Sequence, residues 1–176
     1  MTALDELLAD PWFPFQGQLS VKPLEPPVVP EPARLGESAQ DCLSCARPDD
    51  DYVWASPDWA VLGYRQTPLP GVVLLVTRDH YDSYADLPDR LLAEVGPMTA
   101  RVERAVLSTG GVARVHVYRW GDGSAHFHQW FMPRPLGALQ LRGSMLPMWL
   151  DLLPPLPADE VDGALAAVSA AMRAGD

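Results

Sequence analysis

The sequence predicts an α+β fold, a mostly antiparallel sheet of about five strands with two main helices. Three observations predict it. Short apolar or alternating runs recur through residues 51–77 and 112–132, with turn residues between them. A helical stripe of Leu91, Val95, Met98, Val102 and Val106 separates these two groups. A second stripe, Val161, Leu165, Val168 and Met172, follows the last strand.

Residues 1–41 read as a proline-rich arm. Seven of the 19 prolines lie there, and KPLEPPVVPEP favours extended, polyproline-like chain with no core of its own. The arm is expected to strap over one domain spanning 42–176. In that domain DYVWAS and WAVLGY are two short strands joined by a turn at Ser56-Pro57-Asp58. GVVLLVT (71–77) is continuously apolar and suits a strand buried on both faces. Pro88 opens the first helix and Gly110-Gly111 ends it, while Gly96-Pro97 predicts a kink or break in its middle. VARVHVYR alternates like a half-buried strand, Gly121-Asp122-Gly123 turns the chain, and SAHFHQWFM (124–132) returns as the hairpin partner.

Composition narrows the function. A formal charge of −10 opposes a nucleic-acid groove or an anionic membrane surface, since both need a basic face. A phosphate-bearing small molecule then needs a local positive site. The N-terminus is acidic and lacks the flank and apolar run of a secretory signal, and no segment has the eighteen or more apolar residues of a membrane span. The expectation is a cytoplasmic protein.

Strand alternation places Ser124, His126, His128, Trp130 and Met132 on one face of the last strand. Ala125, Phe127, Gln129 and Phe131 share the other face, whose two aromatics assign it to the core. The histidine face is left open. Cys42-Leu43-Ser44-Cys45 lies in an acidic, proline-containing loop, which favours a metal knuckle over the strand-to-helix setting of a redox pair. A structural zinc needs four ligands, typically two thiolates and two imidazoles, and His80, His116, His126 and His128 are the candidates for the imidazoles.

Three pieces, CLSC, PLPGVVLLVTRDHYDSYADL and HFHQWFMPR, come in the order found in the histidine triad (HIT) superfamily, including its galactose-1-phosphate uridylyltransferase branch. The chain resembles that superfamily over roughly residues 42–135. The resemblance implies a HIT-like fold and a structural zinc held by Cys42, Cys45, His80 and His126. It also implies that His128 is a nucleophile attacking the α-phosphorus of a nucleotide, with homodimerisation common among members. Ser124 and Arg119 are the candidates for binding the phosphoryl group beside the GDGS turn. His116 is left as a structural or pocket-lining residue.

Two positions depart from the family pattern. The third motif position, histidine or glutamine in the family, is Trp130, and Gln129 lies one residue early on the opposite face. The acidic residue that bonds ribose hydroxyls in the family would fall near Tyr64, where there is no carboxylate. Tyr64, Trp54 and Trp59 are candidates to stack a base, with core packing as the alternative. Arg134 is expected to hold a strand end, and Arg142 to pack or face a dimer partner. Two readings follow: a nucleotidyl hydrolase or transferase working through a phosphohistidine, or a zinc-stabilised binding protein that keeps the fold with weak or no catalysis.

Overall fold

A computed structural model describes residues 3–175; the first two residues of the expected arm and the last of the expected domain lie outside it. Five strands form one sheet: β1 (Trp54–Ala55), β2 (Trp59–Gly63), β3 (Val73–Thr77), β4 (Val112–Tyr118) and β5 (His128–Pro135). Their order is β1-β2-β3-β5-β4, with every pair antiparallel. The two main helices are α2 (Asp89–Leu107) and α4 (Ala158–Arg173); two shorter ones are α1 (Ala3–Ala9) and α3 (Leu146–Leu152). No helix among the described residues is long and apolar enough to cross a membrane.

The period-2 alternation of the strands decides what each face carries. Val61, Val73, Leu75 and Phe131 point to one face and pack with Leu91, Val102 and Val106 of α2 and Val161, Leu165 and Val168 of α4. Trp54 and Trp59 belong to this core, so of the three aromatics that might have stacked a base they are excluded by burial. Gln129 also faces the helices, where its Oε1 accepts a hydrogen bond from Thr99 at 3.0 Å. The opposite face carries Ala60, Leu74 and Val76, with Leu62, Tyr64 and Trp130 around them. Beyond Trp130 that face is covered, because Met132 is buried with Leu69, Val72 and Leu146 of α3.

Two local expectations are corrected. Of the kink or break expected at Gly96-Pro97, the break does not occur; α2 runs unbroken for 19 residues with Pro97 inside it. Both residues are exposed, so the carbonyl freed by proline is solvated while the buried stripe continues on the other side. The last strand starts at His128 rather than at residue 124. Residues 124–125 pair instead with the arm: Leu35 N–H donates to Gly123 O at 3.2 Å, and Ala125 N–H donates to Leu35 O at 2.9 Å.

The arm is fastened at both ends. Trp149 Nε1 donates to Trp12 O at 2.9 Å, and Arg142 lies over the Trp12 ring at 4.6 Å. At the other end, Gly36 passes so close to Cys42 that an added Cβ would sit 3.1 Å from its Cα, at a φ of +70° that also favours glycine. Between these points Leu24 and Val29 are almost fully exposed.

Candidate metal centre and active site

Antiparallel pairing of β3 with β5 sets Val76 opposite His128, so the chain leaving β3 and the chain entering β5 meet at one sheet edge. His80 lies just past β3 and His126 just before β5. The 42–46 segment turns tightly, with Ala46 N–H donating to Cys42 O at 3.1 Å, and presents both sulfurs to that edge. Cys42 Sγ is 3.3 Å from His126 Nδ1, and Cys45 Sγ is 3.3 Å from His80 Nδ1 and 3.6 Å from His126 Nδ1. All four ligand atoms lie within 4.8 Å of one another.

The donor set and spacing fit zinc. A tetrahedral site with two sulfurs and two nitrogens has donor–donor edges of about 3.3–3.8 Å. His126 Nε2 is 2.9 Å from Thr77 O, which can only accept, so Nε2 carries the proton and Nδ1 is free to ligate. Cys42 and His126 are 2% and 1% exposed, as an enclosed structural site requires. Burial, then the Cys42 sulfur alongside, push the Cys45 thiol up to about 11. That thiol gives up its proton readily only to a compensating cation.

His128 is placed differently. Its Nδ1 lies 2.7 Å from His126 O, again an acceptor only, so Nδ1 carries a proton and Nε2 is the lone-pair nitrogen of the neutral ring. The ring lines a cleft of about 390 Å³ together with Ser124, Leu74, Val76, Trp120 and Trp130. Ser124 has no hydrogen-bond partner for its hydroxyl among the described residues. No arginine, lysine or carboxylate lines this cleft.

Arg119 does not line this cleft. Its guanidinium donates to Asp82 O and sits 5.6 Å over both the Tyr84 and Phe127 rings. Arg34 of the arm shares this anchor, donating to both Asp82 carboxylate oxygens at 3.1 and 2.7 Å and to Gly121 O at 2.8 Å. Leu35, next to it, lines the cleft. Neither arm residue was among the sequence candidates, since a surface arm carries no periodic signal for a site. The apolar floor was readable in part: Leu62, Leu74 and Trp130 lie in one row across the sheet.

His116 joins neither the metal cluster nor the cleft. It stacks on Tyr118 at 6.2 Å, and its Nε2 is buried without a partner. Burial, then the charge of Arg134, hold its pKa below the ordinary imidazole range. The unfolded chain therefore takes up this proton first, and stability falls as pH drops from about 6.5, levelling once the folded imidazole is protonated. His116→Phe keeps the stack and removes the orphaned nitrogen. Urea melts at neutral and mildly acid pH are expected to show a shallower acid loss in the variant, with stability at neutral pH unchanged or higher. An equally steep loss in the variant would assign the acid sensitivity to other groups.

No family profile and no curated protein matches the sequence. Solved structures do. One is a histidine triad nucleotide-binding protein of Sulfolobus tokodaii, with a TM-score of 0.58 and 14% identity over 76% of this chain and 93% of that one. A zinc-bound histidine triad family protein of Mycobacterium smegmatis gives a TM-score of 0.55 and 17% identity over 79% and 100%. A uridylyltransferase mutant gives 0.50 and 15% over 77% of this chain and 48% of its own. A five-stranded antiparallel sheet, a Cys₂His₂ cluster at its edge and a histidine aimed into the adjoining cleft are thus set on the histidine triad fold.

Proposed function

We propose that the protein is a nucleotidyl hydrolase or transferase in which His128 forms a covalent phosphohistidine with a nucleotide phosphoanhydride or phosphoramidate. The observation that carries this reading is the His128 ring, pinned through Nδ1–H to the His126 carbonyl in a ring that lines the cleft, which leaves Nε2 as its nucleophilic nitrogen. Nε2 attacks the α-phosphorus: the N–P bond forms as the bond from phosphorus to the leaving group breaks, a phosphate oxygen leaving with the electron pair and an amine nitrogen leaving after taking a proton from solvent. A second phosphate, or water that gives its proton to solvent, then attacks phosphorus, the N–P bond breaks and the lone pair returns to Nε2. The Ser124 hydroxyl donates to a phosphoryl oxygen, and Leu62, Leu74 and Val76 take the base. Zinc, when bound, cross-links the 42–45 turn to His80 and His126 and so braces the start of β5. Residues 42–176 carry this chemistry, and the 1–41 arm closes one side of the cleft through Leu35.

The test is a turnover panel of a dinucleoside polyphosphate, an adenosine phosphoramidate and a nucleotide sugar, with acid-stopped samples analysed by mass spectrometry. A nucleotidyl adduct on the peptide bearing His128 is the expected result. Turnover without the adduct would refute the covalent step. A second reading, a zinc-stabilised binding protein, is favoured by the cleft's lack of any arginine, lysine or carboxylate and by Trp130 at the third motif position. It is selected if zinc and fold are intact and no panel member turns over.

A further inference from the structure

The cleft at His128 has a neighbour across the Trp120 and Trp130 side chains. Tyr64, Trp120, Trp130 and Asp151, with Met132 and Leu150, line this second cleft of about 370 Å³. The walls are inclined: Tyr64 and Trp130 meet at 73° with centroids 5.1 Å apart, and Trp120 and Trp130 at 59° and 6.5 Å. Parallel plates grip a flat base; rings at these angles form the corner of a box. The flat face that Trp120 could have offered to a base is already stacked on Tyr118, at 4.8 Å and 11°. Asp151 makes no hydrogen bond or ion pair among the described residues, and no arginine or lysine lines the cleft.

Indole and phenol faces carry negative potential and attract cations, tryptophan most strongly. A free carboxylate adds a full charge, and the chain's net −10 adds a field of the same sign. We propose that this second cleft is an aromatic cage for an organic cation, an alkylammonium or quaternary ammonium group. The cation belongs to the same ligand whose phosphoryl group meets His128, a clause that rests on the function proposed above. His128 and Trp130 are two residues apart on one strand face, about 7 Å, a span that a short alkyl chain covers. An indole at the third motif position then has a use that histidine or glutamine would not serve: it walls both clefts.

Choline is the probe, read by the indole N–H resonances of Trp120 and Trp130. Its controls are the uncharged isostere with carbon in place of the ammonium nitrogen, and adenosine. Choline is expected to shift both indoles saturably and to bind about tenfold tighter than the isostere, the size of a desolvated cation–π contact. Asp151→Asn, on an exposed site of α3, should weaken choline and leave the isostere unchanged, and Trp120→Leu should weaken choline in a protein whose melting temperature is kept. Equal binding of choline and isostere, binding of adenosine alone, or no saturable shift would each overturn the cage. Phosphocholine binding tighter than choline, with the gain lost in His128→Ala while choline still binds, supports the shared ligand; no gain refutes it. A missing adduct at His128 with choline binding intact would sink the catalytic reading and leave the cage standing.

Discussion

Removing zinc from the purified protein with a chelator, or replacing Cys42 by serine, is expected to lower the melting temperature by about 10 °C or more. The size follows from what the site holds. The 42–45 turn belongs to no strand, and its other visible ties are few, chiefly the Tyr52 hydroxyl donating to Ser44 O at 3.1 Å. Cys42 and His126 are almost wholly buried, so without a cation the Cys42 thiol and the His126 Nδ1 sit desolvated with little but the cluster's own atoms as partners. The arm is coupled to this loss, because Gly36 packs on Cys42 and Leu35 pairs beside Ser124. The helix-side core is separate from the cluster, so unfolding is not obligatory as it is in an isolated zinc finger. Metal analysis beside the melts, and recovery on adding zinc back, check the result. A metal-depleted protein that melts like the starting material would show that the cluster has no structural role.

The same cluster shows what the sequence made legible. A C-x-x-C turn and four histidines were enough to propose a Cys₂His₂ set, but residue pattern alone left four imidazoles open, and only the resemblance narrowed them to His80 and His126. The choice has a topological cause: antiparallel pairing of β3 with β5 carries those two to one edge and leaves His116 on the far strand. Both main helices and most of the strands could be read from periodicity because each buries one face, and β3 from a continuous apolar run because it is buried on both. The failures share a different cause. Ser124 was put in a strand because nothing local says that residue 35 pairs with it. The bond from Arg119 to the Asp82 carbonyl, 37 residues away, likewise has no sequence signature. Asp151 reaches Tyr64 and Trp130 only through the packing of α3 on the sheet, so the carboxylate missed near Tyr64 in sequence is close to it in space, in the second cleft rather than the first.

His128→Ala is expected to reduce turnover by about 10⁴-fold, a loss of about 5.5 kcal/mol of transition-state stabilisation, while zinc content and melting temperature stay near those of the wild type. The separation of the two effects is built into the strand. His126 donates its Nε2–H to Thr77 and gives Nδ1 to the cluster; His128 donates its Nδ1–H to His126 O and leaves Nε2 free. Deleting His128 removes a half-buried ring from a cleft wall and its bond to the His126 carbonyl, but none of the four cluster side chains, so little stability depends on it. Free imidazole added to His128→Gly should restore part of the rate, since the vacated space opens to the cleft and a diffusible imidazole can supply the same lone pair. Activity within tenfold of wild type in His128→Ala would move the chemistry to another group and favour the binding reading. Trp130 sharpens the test. An indole has one donor and no acceptor, so it cannot stand in for a supporting histidine, and the proposed reaction would leave bond making in this cleft to His128.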